Sequence, residues 1–83
     1  MYHCYILYSA SLDCYYTGSC GSDLSGRLER HLMNHKGFTG RAKDWKIVYK
    51  EVFEEKTAAL GRERQIKRWK SRRKIEQLIE ESV

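Results

Sequence analysis

"YHCYILYSASLDCYYTGSC", residues 2–20, decides the fold. Residues 2–8 are rich in aromatic and branched side chains, the composition of a pleated, half-buried strand. Residues 9–13, "SASLD", are small and turn-forming. Residues 14–18, "CYYTG", give a second strand that Gly18 closes, so the stretch predicts a β-hairpin. Tyr5 precedes Tyr16 by eleven positions. Strand packing alone accounts for such aromatics, and Tyr2, Tyr8, Tyr15 and Tyr49 are expected to serve that purpose. A chemical use for Tyr5 and Tyr16 requires support from the rest of the chain.

After the hairpin the period changes. In "SDLSGRLERHLMNHKG", residues 22–37, Leu24, Leu28 and Leu32 recur at i, i+4 and i+8 and mark a helix. Ser22 or Asp23 can cap it and Gly37 ends it. "FTGRAKD", residues 38–44, has no periodicity and predicts an exposed loop. "WKIVYKEVF", residues 45–53, alternates Trp45, Ile47 and Tyr49 with Lys46 and Lys50 and predicts a third strand. Thr57 is placed to cap a second helix, "AALGRERQIKRW", and Ser71 a third, "RRKIEQLIEE", with Ile75, Leu78 and Ile79 facing inward. The order β-β-α-β-α-α predicts an α/β chain of the α+β kind: a small three-stranded, largely antiparallel sheet covered by helices.

At 83 residues the chain is expected to be one domain, 1–83, with a modest core. No apolar run approaches the roughly 20 residues that cross a bilayer. The N-terminus lacks the basic region of a secretory signal, so the expected location is cytoplasmic. Cys4, Cys14 and Cys20 are odd in number and are expected to be reduced thiols. Their spacing with His3, His31 and His35 fits no ordinary zinc pattern. A net charge of +5 favours a polyanionic partner, either nucleic acid or an anionic surface.

Three features stand out against this plan. Arg27, His31 and His35 form a column beside the leucine stripe, where an arginine can also lie harmlessly along the surface. Glu63 falls between Leu60 and Ile66 on the inward stripe of its helix. An ionised carboxylate there needs a partner, and both Lys67 and a divalent cation are open to it. "RERQIKRWKSRRK", residues 62–74, holds eight Lys or Arg in thirteen positions with Trp69 among them. Such a basic face interleaved with an aromatic suits phosphate contact plus packing against bases or sugars. Arg62, Lys67, Arg68, Trp69, Lys70, Arg72 and Arg73 are the candidate nucleic-acid contacts.

In order, these motifs resemble the GIY-YIG nuclease superfamily, in particular its short, single-domain bacterial members. Its first motif, Gly-Ile-Tyr, falls on His3-Cys4-Tyr5, and its second, Tyr-Ile-Gly, on Tyr16-Thr17-Gly18. His3 and Thr17 depart from the pattern, and Ser19 stands where some relatives carry Lys. "DLSGRLERH", residues 23–31, is similar to the family helix with an Arg and, four residues on, a His or Tyr, here Arg27 and His31. "TAALGRERQIKRWK", residues 57–70, is similar to the segment that carries the family's metal-binding glutamate, here Glu63.

The resemblance implies hydrolysis of a phosphodiester by water, assisted by Mg²⁺ or Mn²⁺. Glu63 would hold the metal, and Arg27 would bind the phosphate and offset its developing charge. Tyr16 would be the base, Tyr5 its partner, and His31 a proton relay or phosphate contact. The implied partner is DNA, with RNA the alternative, and no membrane. The competing function is a nucleic-acid-binding module on the same fold that does not cut. A protein-interaction domain with an acidic partner is a third reading.

Overall fold

The computed structural model describes residues 1–21, Leu24, Gly26, Leu28 and residues 38–82. The hairpin predicted from residues 2–20 is present: β1 (Tyr2–Ser9) and β2 (Cys14–Cys20) pair antiparallel. β3 (Lys46–Phe53) pairs antiparallel with the other edge of β1, giving the sheet order β2-β1-β3. α1 (Lys56–Trp69) and α2 (Arg72–Glu81) follow. Leu24, Gly26 and Leu28 are helical, within the segment where the leucine stripe predicts the first helix. The α+β architecture is therefore the expected one.

β1 is the central strand and both of its faces are covered. Side chains alternate across a strand, so Tyr5 and Leu7 face one way, into a cluster with Ala42 and Trp45 that Leu24 and Leu28 pack against. Cys4 and Ile6 face the other way, onto Ile66 of α1, with Ile75, Leu78 and Ile79 of α2 around them. Cys4, Tyr5, Ile6 and Leu7 are each at most 1% exposed as a result. Burial and the nearby Glu51 and Glu63 carboxylates push the Cys4 thiol up to about 12, so it acts as a small core group.

Four local expectations are corrected. β3 does not alternate uniformly: a bulge lies opposite Ile6 and Leu7, where Ile6 faces Tyr49 and Leu7 faces Ile47. One extra residue reverses which face the chain presents, so Ile47 joins the Tyr5 cluster and Tyr49 the Cys4 cluster. Trp45 lies just outside the strand, buried. The segment 38–44 is not a plain exposed loop. It holds a 3₁₀ turn, Phe38–Arg41, and places Ala42 in the core. Thr57 does not cap α1; the cap position is Glu55, whose side chain makes no capping bond. Ser71 does cap α2 as expected, its hydroxyl accepting from the Lys74 N–H at 3.3 Å.

Two carboxylates fasten the hairpin turn. Asp13 has a positive φ of 50° and accepts from Tyr8 Oη and Arg72 Nη2, both at 2.7 Å, tying the turn to α2. Asp44 accepts from Ser9 Oγ at 2.6 Å and from the Ser11 N–H at 2.8 Å, tying the turn to the start of β3. Chiefly through the Ser9 hydroxyl, the Asp44 carboxyl is held below its ordinary 3.8. A depressed carboxylate stabilises the fold above its ordinary value, and that contribution is lost as pH falls through the folded value. Asp44→Asn should therefore melt below wild type at neutral pH. The gap should narrow as the pH is taken below about 4; thermal melts across this range measure it.

Candidate active site

The site starts from the register of the hairpin. Tyr5 is paired with Gly18, and Tyr16 with Leu7, so the two tyrosines are diagonal neighbours on one face of the sheet. Gly18 makes the arrangement possible. Its φ is not positive; what matters is space. A Cβ at Gly18 would stand 2.6 Å from Tyr5 Oη, 2.7 Å from its Cζ and 3.2 Å from Tyr16 Cε2. The Tyr5 ring thus lies over the bare backbone of β2, with its hydroxyl end directed to the edge where Tyr16 stands.

α1 supplies the acid. Ala59 and Ile66 hold the helix to the sheet, both buried, and Glu63 between them reaches the β2 edge. Its side chain is 17% exposed and accepts from Ser19 Oγ at 2.5 Å through one oxygen and from Lys67 Nζ at 2.6 Å through the other. The partner that an inward carboxylate requires is therefore Lys67 here, and the pair is open to solvent because Lys67 is 48% exposed. The same ammonium lies 5.6 Å from the centroid of the Tyr16 ring. Tyr5, Tyr16, Gly18, Ser19 and Glu63 line one cleft of about 460 Å³, with Lys56 at its wall.

Three of the five predicted catalytic residues, Tyr5, Tyr16 and Glu63, thus meet at one place. Arg27 and His31 lie outside the described residues. Tyr5 is fully covered by the core and Tyr16 is half-buried, so Tyr16 is the phenol on the solvent side. Sequence reasoning missed two residues of the cleft. Ser19 was visible only as a departure from a motif, yet it fixes the Glu63 carboxylate. Lys56 sits seven residues before Glu63, two turns back on the same helix face, a spacing that could have found it.

The basic segment divides. Arg62 donates from Nε to Glu51 at 2.9 Å and from Nη1 to Gln65 at 2.8 Å, and lies 5.7 Å from the Trp69 ring centroid. Tyr49 Oη also donates to Glu51, so this group ties α1 to β3. Arg72 is taken by Asp13, Glu76 and the face of Tyr15. Lys67 is taken by Glu63. Arg68, Lys70 and Arg73 are exposed, and Trp69 is half-buried against the Ile66 cluster.

The donor chemistry of the cleft can be compared with a divalent metal. Among the described residues no three His, Cys, Asp or Glu side chains gather as a ligand set. Glu63 offers a single hard carboxylate at the wall of an open, polar cleft. That fits Mg²⁺ or Mn²⁺ held by one protein oxygen, with water and substrate phosphate completing the shell.

The family profile described as GIY-YIG catalytic domain matches residues 1–76. The chain belongs to the GIY-YIG family, a nuclease family, and the match spans both tyrosine motifs and Glu63. No curated relative and no solved structure matches the chain. No helix among the described residues is long and apolar enough to cross a membrane.

Proposed function

We propose that residues 1–83 work as one endonuclease domain, cytoplasmic and metal-dependent, that hydrolyses phosphodiester bonds in DNA. Selection by DNA structure and a role in repair or recombination are part of this reading. The observation that carries it is the cleft: two phenols from the hairpin and one carboxylate from α1 line it together.

Glu63 would hold Mg²⁺ or Mn²⁺, which supplies charge to polarise the phosphate and to stabilise the leaving oxygen. Tyr16 serves as the general base and takes a proton from the attacking water. Tyr5, held over Gly18, orients Tyr16 and the water beside it. Ser19 donates to one Glu63 oxygen and keeps the carboxylate turned into the cleft. Lys67 neutralises Glu63 in the free protein and is near enough to turn to the substrate phosphate instead. By family motif, Arg27 binds the phosphate and His31 relays a proton or contacts the phosphate.

Substituting Tyr16 by Phe removes one hydroxyl and keeps the packing. Nicking of supercoiled DNA with Mn²⁺ should fall by about 10²-fold or more while DNA binding is retained. An unchanged nicking rate removes Tyr16 from the chemistry. The non-catalytic module remains the second reading, and the Lys67–Glu63 ion pair favours it, because a neutralised carboxylate requires no metal. Wild-type protein that binds DNA and never nicks it, with either metal, selects that reading.

A further inference from the structure

A second groove, of about 430 Å³, is lined by Gly61, Arg64, Gln65, Arg68, Trp69 and Lys74. It shares no residue with the cleft at Glu63. At 100° per residue, Arg64, Arg68, Gly61 and Gln65 stand about 100° to 200° around α1 from Glu63. The groove therefore opens on another side of the helix. Resting on the nucleic-acid reading above, we propose that this groove holds a second stretch of the substrate's sugar–phosphate backbone, away from the bond that is cut.

Three observations support this occupant. The first is charge: three cations line the groove and no carboxylate does. Arg62, Lys67 and Arg72 each have a carboxylate partner, whereas Arg64, Arg68 and Lys74 have none among the described residues. The basic segment thus separates into cations that fasten the fold and cations left to a polyanion. The second is Trp69, whose half-buried ring gives a sugar or base an apolar wall. The third is Gly61. A Cβ there would meet nothing within 4 Å, and its φ is not positive, so neither packing nor backbone conformation requires glycine. Glycine inside a helix is unfavourable. Its presence in the groove lining leaves room for a backbone to approach closely.

Together the two sites make a substrate contact on two sides of α1. A cut at the cleft would then be licensed by an arm of nucleic acid that reaches around the helix, which gives selection by DNA shape without reading bases.

The test is the salt dependence of binding to a labelled DNA duplex long enough to pass both sites. Four proteins are compared: wild type, Arg64→Gln/Arg68→Gln, Gly61→Gln, and Lys43→Gln/Lys50→Gln as an equal-charge control on exposed residues elsewhere. For the groove double variant, affinity at low salt should fall about tenfold or more, and the slope of log K against log salt should flatten by about 2. Gly61→Gln should weaken binding without a change of charge, and its melting temperature should match or exceed that of wild type. The control should keep most of the wild-type slope. Groove variants that bind like wild type, or that lose no more than the control, overturn the second site and leave the nuclease reading standing. Wild-type protein that binds no DNA at any salt overturns the nucleic-acid reading itself.

Discussion

Glu63→Gln should lower the rate of DNA nicking on the order of a thousandfold, equivalent to about 4 kcal/mol of transition-state stabilisation, and leave DNA binding intact or slightly tighter. Glutamine keeps the shape of the side chain and can still accept from Ser19. What disappears is the charge that would hold a divalent cation. The structural cost is small by comparison. The Glu63–Lys67 pair is an i,i+4 ion pair with a half-exposed lysine, worth about 0.3–0.5 kcal/mol. Loss of the negative charge also frees Lys67 for phosphate. A single-turnover nicking assay at saturating protein, beside a binding titration, separates the two effects. Equal nicking by wild type and Glu63→Gln would mean that the acid is a structural partner of Lys67 and nothing more.

Gly18→Ala should destabilise the fold strongly although it adds only one methyl group. The new Cβ would enter within 2.7 Å of the Tyr5 hydroxyl oxygen and the ring carbon that bears it, closer than real Cβ contacts allow. Tyr5 cannot swing away, because it is 1% exposed and packed with Leu7, Ala42 and Trp45. Overpacking of this kind costs about 1–3 kcal/mol. In a domain of this size that lowers the melting temperature on the order of 10 °C. Nicking should fall as well, since Tyr5 and Tyr16 both border the new methyl. Combining Gly18→Ala with Tyr5→Leu separates the two losses. The smaller side chain should return part of the stability and none of the activity, a coupling that a double-mutant cycle measures.

Much of this arrangement is legible in the chain. The aromatic runs flanking "SASLD" specify the hairpin, and Glu63 announces itself by standing between Leu60 and Ile66. Ser71 marks the start of α2 because its hydroxyl has an unpaired N–H to satisfy. Other features depend on partners distant in sequence. The diagonal placement of Tyr5 and Tyr16 follows from the turn at residues 10–13, which sets Tyr5 against Gly18. Propensity does not give that offset. The bulge in β3 is invisible to an alternation pattern, since Ile47, Val48 and Tyr49 are equally good strand formers on either face. It follows from covering both faces of β1, one by Ile66 and the other by Trp45.

The division of the basic segment was hidden for a related reason. Eight cations in thirteen residues look alike in sequence; the i,i+4 partners Glu63 and Glu76 can be read for Lys67 and Arg72, but only the fold brings Glu51 to Arg62 and Asp13 to Arg72. Arg27 and His31 rest on the family motif alone, because they lie outside the described residues.

A divalent cation is expected to join substrate at Glu63. The most direct measurement is amide line broadening by Mn²⁺ in NMR spectra of the ¹⁵N-labelled protein, with and without a duplex it binds. One carboxylate holds such a cation weakly unless phosphate completes the shell. Broadening should therefore centre on Gly18, Ser19 and Glu63 and sharpen in onset when DNA is present. Broadening that centres instead on Asp13 or Asp44, or that is unaffected by DNA, would mean that Glu63 does not hold the cation.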